Sequence, residues 1–464
     1  MTDERGAESL AAALSASAAV DRTAAAEALR ARAETDPRAV ASVVTELDAG
    51  LTDVDGEVRA AVSATLADVA DADPAAVSTL ATHLADRLED QRADVRQYAT
   101  YALARVGATD PVAVEPAFPG LVETLFADDD PLRHLGVHAL AAVADADPTV
   151  LADELDESTS EASDDSSSEG AVDATRLREG LQAALSETDP VVRRRASQTL
   201  ARLVEAGTAV APDPAAVLAV LDDETAPTRR NAAFLLARVA DEDPAAVVEA
   251  DAVTPLCDRL DDHDAVVVHA TAALGDAGRV APEALTPVAD RLFELTTHER
   301  ADVRANTVLA VGRLAGVAPE RVGDAVEELA ELLGDDAPVV RANTAFALAE
   351  LAAAEPDAAR PAMEALLDRL EDESEADSVR NHAGTALDTL RSELSPGPSP
   401  VPADDADDGI PRGAAAVTEG RRGVGSLDES EGRDDDTTEL DEENRDSTGG
   451  RGRAGSPTDI TPDE

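Results

Sequence analysis

Arginine returns along this chain at a spacing of about 37 residues, at Arg22, Arg59, Arg96, Arg133, Arg193, Arg229, Arg304, Arg341 and Arg380, with Val267 in the one slot that breaks the series. An aspartate sits in the turn before nearly every member. A guanidinium is a planar fork that suits bidentate pairing with a carboxylate. The chemistry this column offers is structural ion pairing, and the alternative use is capture of an anionic ligand. At Val267 the column is interrupted, so Asp262 and Asp264 are expected to lack a partner and the neighbouring structure to be weaker or bent.

A second column lies two residues beyond the slot and holds Asn231, His269, Asn306, Asn343 and His382 in the later part of the chain. Two residues are about 200° around a helix, so this file faces away from the arginines. Asn and His each donate and accept hydrogen bonds, which suits gripping a peptide main chain. The file is expected to bind a partner; hydrogen bonding between neighbouring units, or a preference for helix starts, is the structural alternative. Tyr98, Tyr101, His134 and His138 form the one concentration of aromatic and histidine residues, a candidate hot spot or ordinary packing.

Enzyme chemistry finds little support. There is no glycine-rich phosphate loop, no thiol pair and no nucleophile elbow. The seven histidines are scattered, whereas a metal needs convergent ligands, so no catalytic residue, metal or cofactor is expected. Cys257 is the only cysteine, which excludes a disulfide within the chain and suggests a buried structural thiol.

The elements that carry these residues follow from the period. A repeat of this length predicts stacked pairs of helices. In the clearest unit, Asp73 caps a helix opened by Pro74. Val77, Leu80, Leu84 and Leu88 lie at helical spacing along it. A polar break at 89–94 precedes a second helix from Val95 through Ala99, Leu103 and Val106, with Gly107 as its terminator. Pro37, Pro74, Pro111, Pro148, Pro244, Pro282, Pro319 and Pro356 each follow an arginine-slot position by 15 residues, which sets the same register independently. The step from Arg133 to Arg193 is 60 residues and contains an acidic, serine-rich insertion near 153–173, expected to be a disordered loop. Repeats are therefore expected over 1–152 and 174–394. After Pro396-Gly397-Pro398 the pattern stops, and 395–464 is expected to be a disordered acidic tail.

The formal net charge of the 464 residues is −58, and every basic residue is arginine. Such a surface repels itself at low salt. In molar salt the Debye length falls to about 3 Å and the repulsion is screened. Acidity spread over all units therefore suggests adaptation to molar salt more than a basic partner. It also argues against nucleic acid, which needs a basic patch. The segment Met1–Arg5 lacks a charged-then-apolar signal, and no apolar run approaches a membrane span, so a soluble cytoplasmic protein is expected.

The unit resembles the HEAT repeat, in its HEAT-like or bilin-lyase-type branch. The resemblance rests on Asp55-Gly56-Glu57-Val58-Arg59, Asp94-Val95-Arg96, Asp302-Val303-Arg304 and Asp335-Asp336-Ala337-Pro338-Val339-Val340-Arg341, each followed by small residues and Ala-Leu. It covers about residues 10 to 392. It implies an all-α solenoid of about ten two-helix units, with second helices lining the inner face of a curve and a ladder of Arg–Asp pairs between units. It also implies a non-enzymatic scaffold that binds another protein on that concave face, without a specific small molecule. The other implied function is a lyase-like or chaperone-like accessory factor acting on a client protein or its prosthetic group. HEAT-fold iron hydroxylases repeat His-Glu pairs, and this chain has one, His298-Glu299. HEAT-like DNA glycosylases use aromatic and basic residues that the absence of Trp and Lys does not supply.

Overall fold

The computed structural model describes residues 6–161, 173–208 and 210–394. Residues 162–172 of the insertion and the whole of 395–464 lie outside the described residues. Among the described residues every regular element is helical. Two layers alternate along the chain. One layer consists of ten long helices: α1 (Ala19–Ala33), α2 (Gly56–Ala72), α3 (Ala93–Gly107), α4 (Asp130–Ala146), α5 (Pro190–Glu205), α6 (Ala226–Glu242), α7 (Asp264–Ala277), α8 (Ala301–Ala315), α9 (Pro338–Ala354) and α10 (Asp377–Leu394). Each packs on the next, so the fold is an α-solenoid.

Alanine and leucine build these helices because they lose little conformational freedom in them. Alanine also leaves room for adjacent helices to approach. The positions facing the neighbours are closed, with Leu66, Leu103, Leu140, Leu200, Leu236 and Leu348 each at 0% exposure.

The second layer is made of short pieces. Aspartate followed by proline opens them: Asp36, Asp73 and Asp243 each accept a backbone N–H beyond Pro37, Pro74 and Pro244. In the fifth unit the same device is Asp213 with Pro214, six residues past the common register. The single helix expected through Val77 to Leu88 is instead three pieces, Pro74–Ser78, Ala81–Ala85 and a 3-10 turn at Asp86–Glu89. Ser78 Oγ donates to the Ala75 carbonyl at 2.9 Å and Thr79 Oγ1 to that of Ala76 at 3.3 Å. These hydroxyls compete for the carbonyls that would continue the helix. All four apolar residues nevertheless stay buried.

Two other expectations change. The helix Pro148–Glu161 runs past Asp153, the expected start of the insertion, because Leu151 and Leu155 anchor it in the core. Gly107 closes α3 without a left-handed conformation: a Cβ there would meet Val143 Cγ2 at 2.8 Å, so close packing is what requires the glycine. No single described helix is long and apolar enough to cross a membrane.

Candidate functional site

The arginine column forms rungs between units. Arg59 Nε and Nη2 donate to Asp90 at 2.6 and 3.0 Å, while its Nη1 donates to the Asp53 carbonyl at 2.9 Å. The same arrangement joins Arg22 to Asp53, Arg229 to Asp262, Arg304 to Asp335 and Arg341 to Glu375. Arg193 reaches Asp223 through a single bond of 2.7 Å. Each rung thus clasps its own turn and reaches forward to the turn of the next unit. The accepting carboxylate is buried, Asp90 and Asp223 to 2% and 1% side-chain exposure. It also caps its own turn: Asp90 Oδ1 accepts from the Arg92 N–H at 3.0 Å. Burial acts to raise the Asp90 carboxyl, but the Arg59 hydrogen bond, the Arg92 N–H and the nearby guanidinium charges outweigh it and hold the group below the usual carboxylate range. For Asp53 and Glu375 the hydrogen bonds from Arg22 and Arg341 are the leading cause of the same downward shift.

Three slots depart from the pattern. Arg133 reaches Glu187 at 3.1 Å, 54 residues on instead of about 31, so the ladder continues across the insertion. Arg96 keeps the clasp on the Asp90 carbonyl at 2.9 Å, while Asp129 of the following turn takes the Gln97 amide at 2.8 Å. Arg380, in the last helix, pairs with Asp377 of its own first turn.

Val267 requires a correction. Because rungs run forward, Asp262 is held by Arg229, and the position facing Val267 is His298. His298 Nδ1 accepts from the Arg300 N–H at 3.1 Å, the turn-capping bond an aspartate makes elsewhere. Its Nε2 lies 3.5 Å from Asp264, which therefore also has a neighbour. Loss of the arginine is matched by loss of the carboxylate it would have held.

The asparagine and histidine file is an inter-unit contact. Asn306 Nδ2 donates to the Val268 carbonyl at 3.0 Å, and Asn343 Nδ2 to that of Ala305 at 2.8 Å. The His382 ring bonds the Ala342 backbone, and Asn231 donates to Ser197 Oγ at 3.3 Å. Asn231, His269 and Asn306 are at most 5% exposed. Asn343 and His382 are half-buried, so three of the five residues of the expected file are closed off between helices and two stay partly open. The preceding helix presents Val268, Ala305 and Ala342 there, small enough for its carbonyls to be reached. Replacing Asn306 by leucine should leave the Val268 carbonyl without this donor and cost about 1–3 kcal/mol, readable by urea unfolding in molar KCl. An unchanged midpoint would show that the bond contributes nothing.

The tyrosines and histidines occupy the same side of the long helices. Tyr98 accepts from Arg30 Nη2 at 3.3 Å, with the Arg30 guanidinium 5.6 Å from its ring centre. Arg30 belongs to α1 and Tyr98 to α3, two units apart. Between them α2 shows only small side chains, Ala60, Ala61, Ala64 and Ala67, each buried to 8% exposure or less. Tyr101 donates to Asp71 Oδ1 at 2.7 Å. On α4, His134 lies 3.8 Å from Glu187. Burial, with Arg195 and Arg105 nearby, pushes His138 down to about 3, so the ring is neutral. Burial and Arg230 likewise push His269 down to about 4. The four residues therefore share one face, each engaged with a different neighbour.

Sequence reasoning missed the partners on that face. Arg195, Gln198 and Arg202 of α5 converge on Asp145 of α4, at 3.3, 2.7 and 4.0 Å. Phe234 and Phe346 meet His269 and His382 edge-on at 5.3 and 5.8 Å. The available signal was the fifth residue after five of the ten slots, which holds Tyr101, His138, Gln198, Phe234 and Phe346. Cys257 is half-buried, and burial followed by the Asp258 charge pushes its thiol up to about 11.

The class these contacts define is an α-solenoid held by repeated inter-unit rungs. Residues 301–351 match the family model described as a HEAT-like repeat. That stretch contains the Arg304–Asp335 rung and the Asn343–Ala305 bond, and equivalent rungs recur through the described units. The fold is similar to the crystal structure of an engineered protein, at 22% identity and a TM-score of 0.59, over 83% of this chain and 99% of that one. A structure from work on a phosphorylation switch in the cadherin and β-catenin interaction aligns at 16% identity over 83% and 94% of the two chains, with a TM-score of 0.48. No curated protein matches the chain.

Proposed function

We propose that this protein is a non-enzymatic scaffold that holds a protein partner on the exposed side of its long helices, and that it works in molar salt. The observation that carries this reading is the Tyr98–Tyr101 pair, anchored by Arg30 and Asp71 beside the alanine floor of α2. Tyrosines already held in place lose little freedom on binding, and tyrosine is enriched where interfaces concentrate their energy. Arg30 and Tyr98 meet across an intervening helix, which supports a concave surface at this point. His134 and His138 extend the patch onto α4. Long-range charge attraction is screened in molar salt, so apolar and hydrogen-bonded contacts hold the partner.

The test uses the partner recovered by the full chain and then purified. Tyr101→Ala should weaken its binding at least tenfold, with the solenoid's melting temperature close to that of the parent. Unchanged affinity for both Tyr98→Ala and Tyr101→Ala would refute this surface. A chromophore or metal transferred to the client during binding would refute the non-enzymatic reading.

A further inference from the structure

The ladder lapses between α7 and α8. On either side of this junction a slot arginine clasps a carbonyl of its own turn and also reaches a carboxylate of the next. Arg229 does so at 2.8 Å to the Asp223 carbonyl and 2.6 Å to Asp262. Arg304 does so at 2.7 Å to the His298 carbonyl and 2.8 Å to Asp335. Val267 stands in the slot between them and can make neither bond. Across from it, His298 Nε2 lies 3.5 Å from Asp264. At the α3–α4 junction the forward rung is also missing. There, however, Arg96 keeps its clasp on the Asp90 carbonyl and the Gln97 amide holds Asp129 at 2.8 Å.

The ties of α7 run mainly backward. Arg229 holds Asp262 just before its first turn, and Arg279 just past its end donates to the Ala240 and Asp241 carbonyls at 2.9 Å each. The position on α8 equivalent to Arg279 is Gly316, which has no side chain to reach back with. What joins α8 to α7 is the Asn306 amide on the Val268 carbonyl at 3.0 Å, together with apolar packing. Arg291 of the outer layer adds a bond of 3.1 Å to the Leu260 carbonyl and lies 2.8 Å from the exposed Asp261. Leu309 and the stem of Arg313 lie against Gly275 and Gly278, which present no Cβ. A forked ion pair fixes an angle as well as a distance. Apolar contact is non-directional, and a glycine removes part of the ridge that would interlock with the neighbouring helix.

We propose that the α7–α8 junction is a joint in the solenoid, about which α1–α7 and α8–α10 pivot as two blocks. The joint is not a weak point in the core. Val267 is 2% exposed, and an apolar side chain in place of a buried ion pair keeps its burial while the angle is released. Pivoting re-aims the long-helix face on α8–α10 relative to that on α1–α7, so one chain presents this face at more than one curvature. The joint does not depend on which partner the scaffold holds.

The experiment measures distances between paired nitroxide labels on the full chain in molar KCl by double electron–electron resonance, with Cys257→Ala removing the native thiol. Glu242→Cys with Ala354→Cys spans α6 to α9 and includes the joint. Thr35→Cys with Ala146→Cys spans α1 to α4, the same number of junctions at the same register, and does not. All four positions are exposed. The distance distribution of the first pair is expected to be at least twice as broad as that of the second. Val267→Arg with His298→Asp, which restores the rung, should narrow it to the width of the second. Arg59→Val with Asp90→His, which moves the joint to α2–α3, should broaden the second pair at least twofold. Equal widths in the parent would overturn the proposal. So would a first pair that stays broad with the rung restored, or a second pair that stays narrow with the joint moved. The Tyr101→Ala affinity and these widths can each fail while the other holds.

Discussion

Arg59→Ala is expected to destabilise the solenoid by about 3–5 kcal/mol, the range for breaking a buried pair from one side. The cost arises mainly from what remains. Asp90 has 2% side-chain exposure, and without the two Arg59 bonds it keeps the Arg92 N–H at 3.0 Å and Arg87 at 3.8 Å. A largely desolvated carboxylate is then under-compensated. The turn before α2 loses a tie as well, because Arg59 also clasps the Asp53 carbonyl there. Arg59→Leu combined with Asp90→Leu should recover part of the loss, since an apolar pair leaves no buried charge. Urea in molar KCl is the suitable denaturant, because guanidinium would compete for the rungs. Equal midpoints for Arg59→Ala and the parent would show that the ladder does not hold the stack.

Stability should depend on pH in a way that salt simplifies. The rung carboxylates Asp53, Asp90, Asp223, Asp262, Asp335 and Glu375 are all held below their ordinary range. A depressed folded-state value means stability present above the unfolded value near 4 and lost as pH falls through the folded one. The net charge of −58 acts in the opposite direction. Protonating surface carboxylates between about pH 7 and 4.5 relieves self-repulsion. At about 0.05 M salt the melting temperature should therefore rise on acidification to about pH 4.5 and then collapse below about pH 3.5. In molar KCl the repulsive contribution is screened and only the acid collapse should remain. A single run of melting temperature against pH at both salts tests this. A rising limb that persists in molar KCl would contradict the screening account, and a fold stable at pH 2 would contradict the ladder.

The architecture was readable because it repeats. Arginine and proline recur in fixed phase, and Asp-Pro at a helix start has a local cause that no tertiary contact needs to supply. What escaped was decided between units. The broken outer helices depend on Ser78 and Thr79 turning back on carbonyls, where the apolar spacing of Val77 to Leu88 suggests continuity. The direction of the rungs, and hence the role of His298, depends on whether a side chain points to its own turn or the next. The Asn and His file was found by position, yet its burial follows from Val268, Ala305 and Ala342 on the preceding helix, which are remote in sequence, 38 residues away for Asn306 and Asn343. The tyrosine patch was visible as composition; its anchors Arg30 and Asp71 were not, being 68 and 30 residues distant.

The most direct test of the recognition face replaces Tyr101 with a photo-cross-linking amino acid and, in a second protein, replaces the exposed Glu328 of the outer layer. Both are irradiated in native extract prepared in molar KCl. Discrete protein adducts from position 101 and none from position 328 are the predicted result. Adducts from 328 alone, or equal adducts from both, would place the partner elsewhere and contradict the long-helix face as the site of recognition.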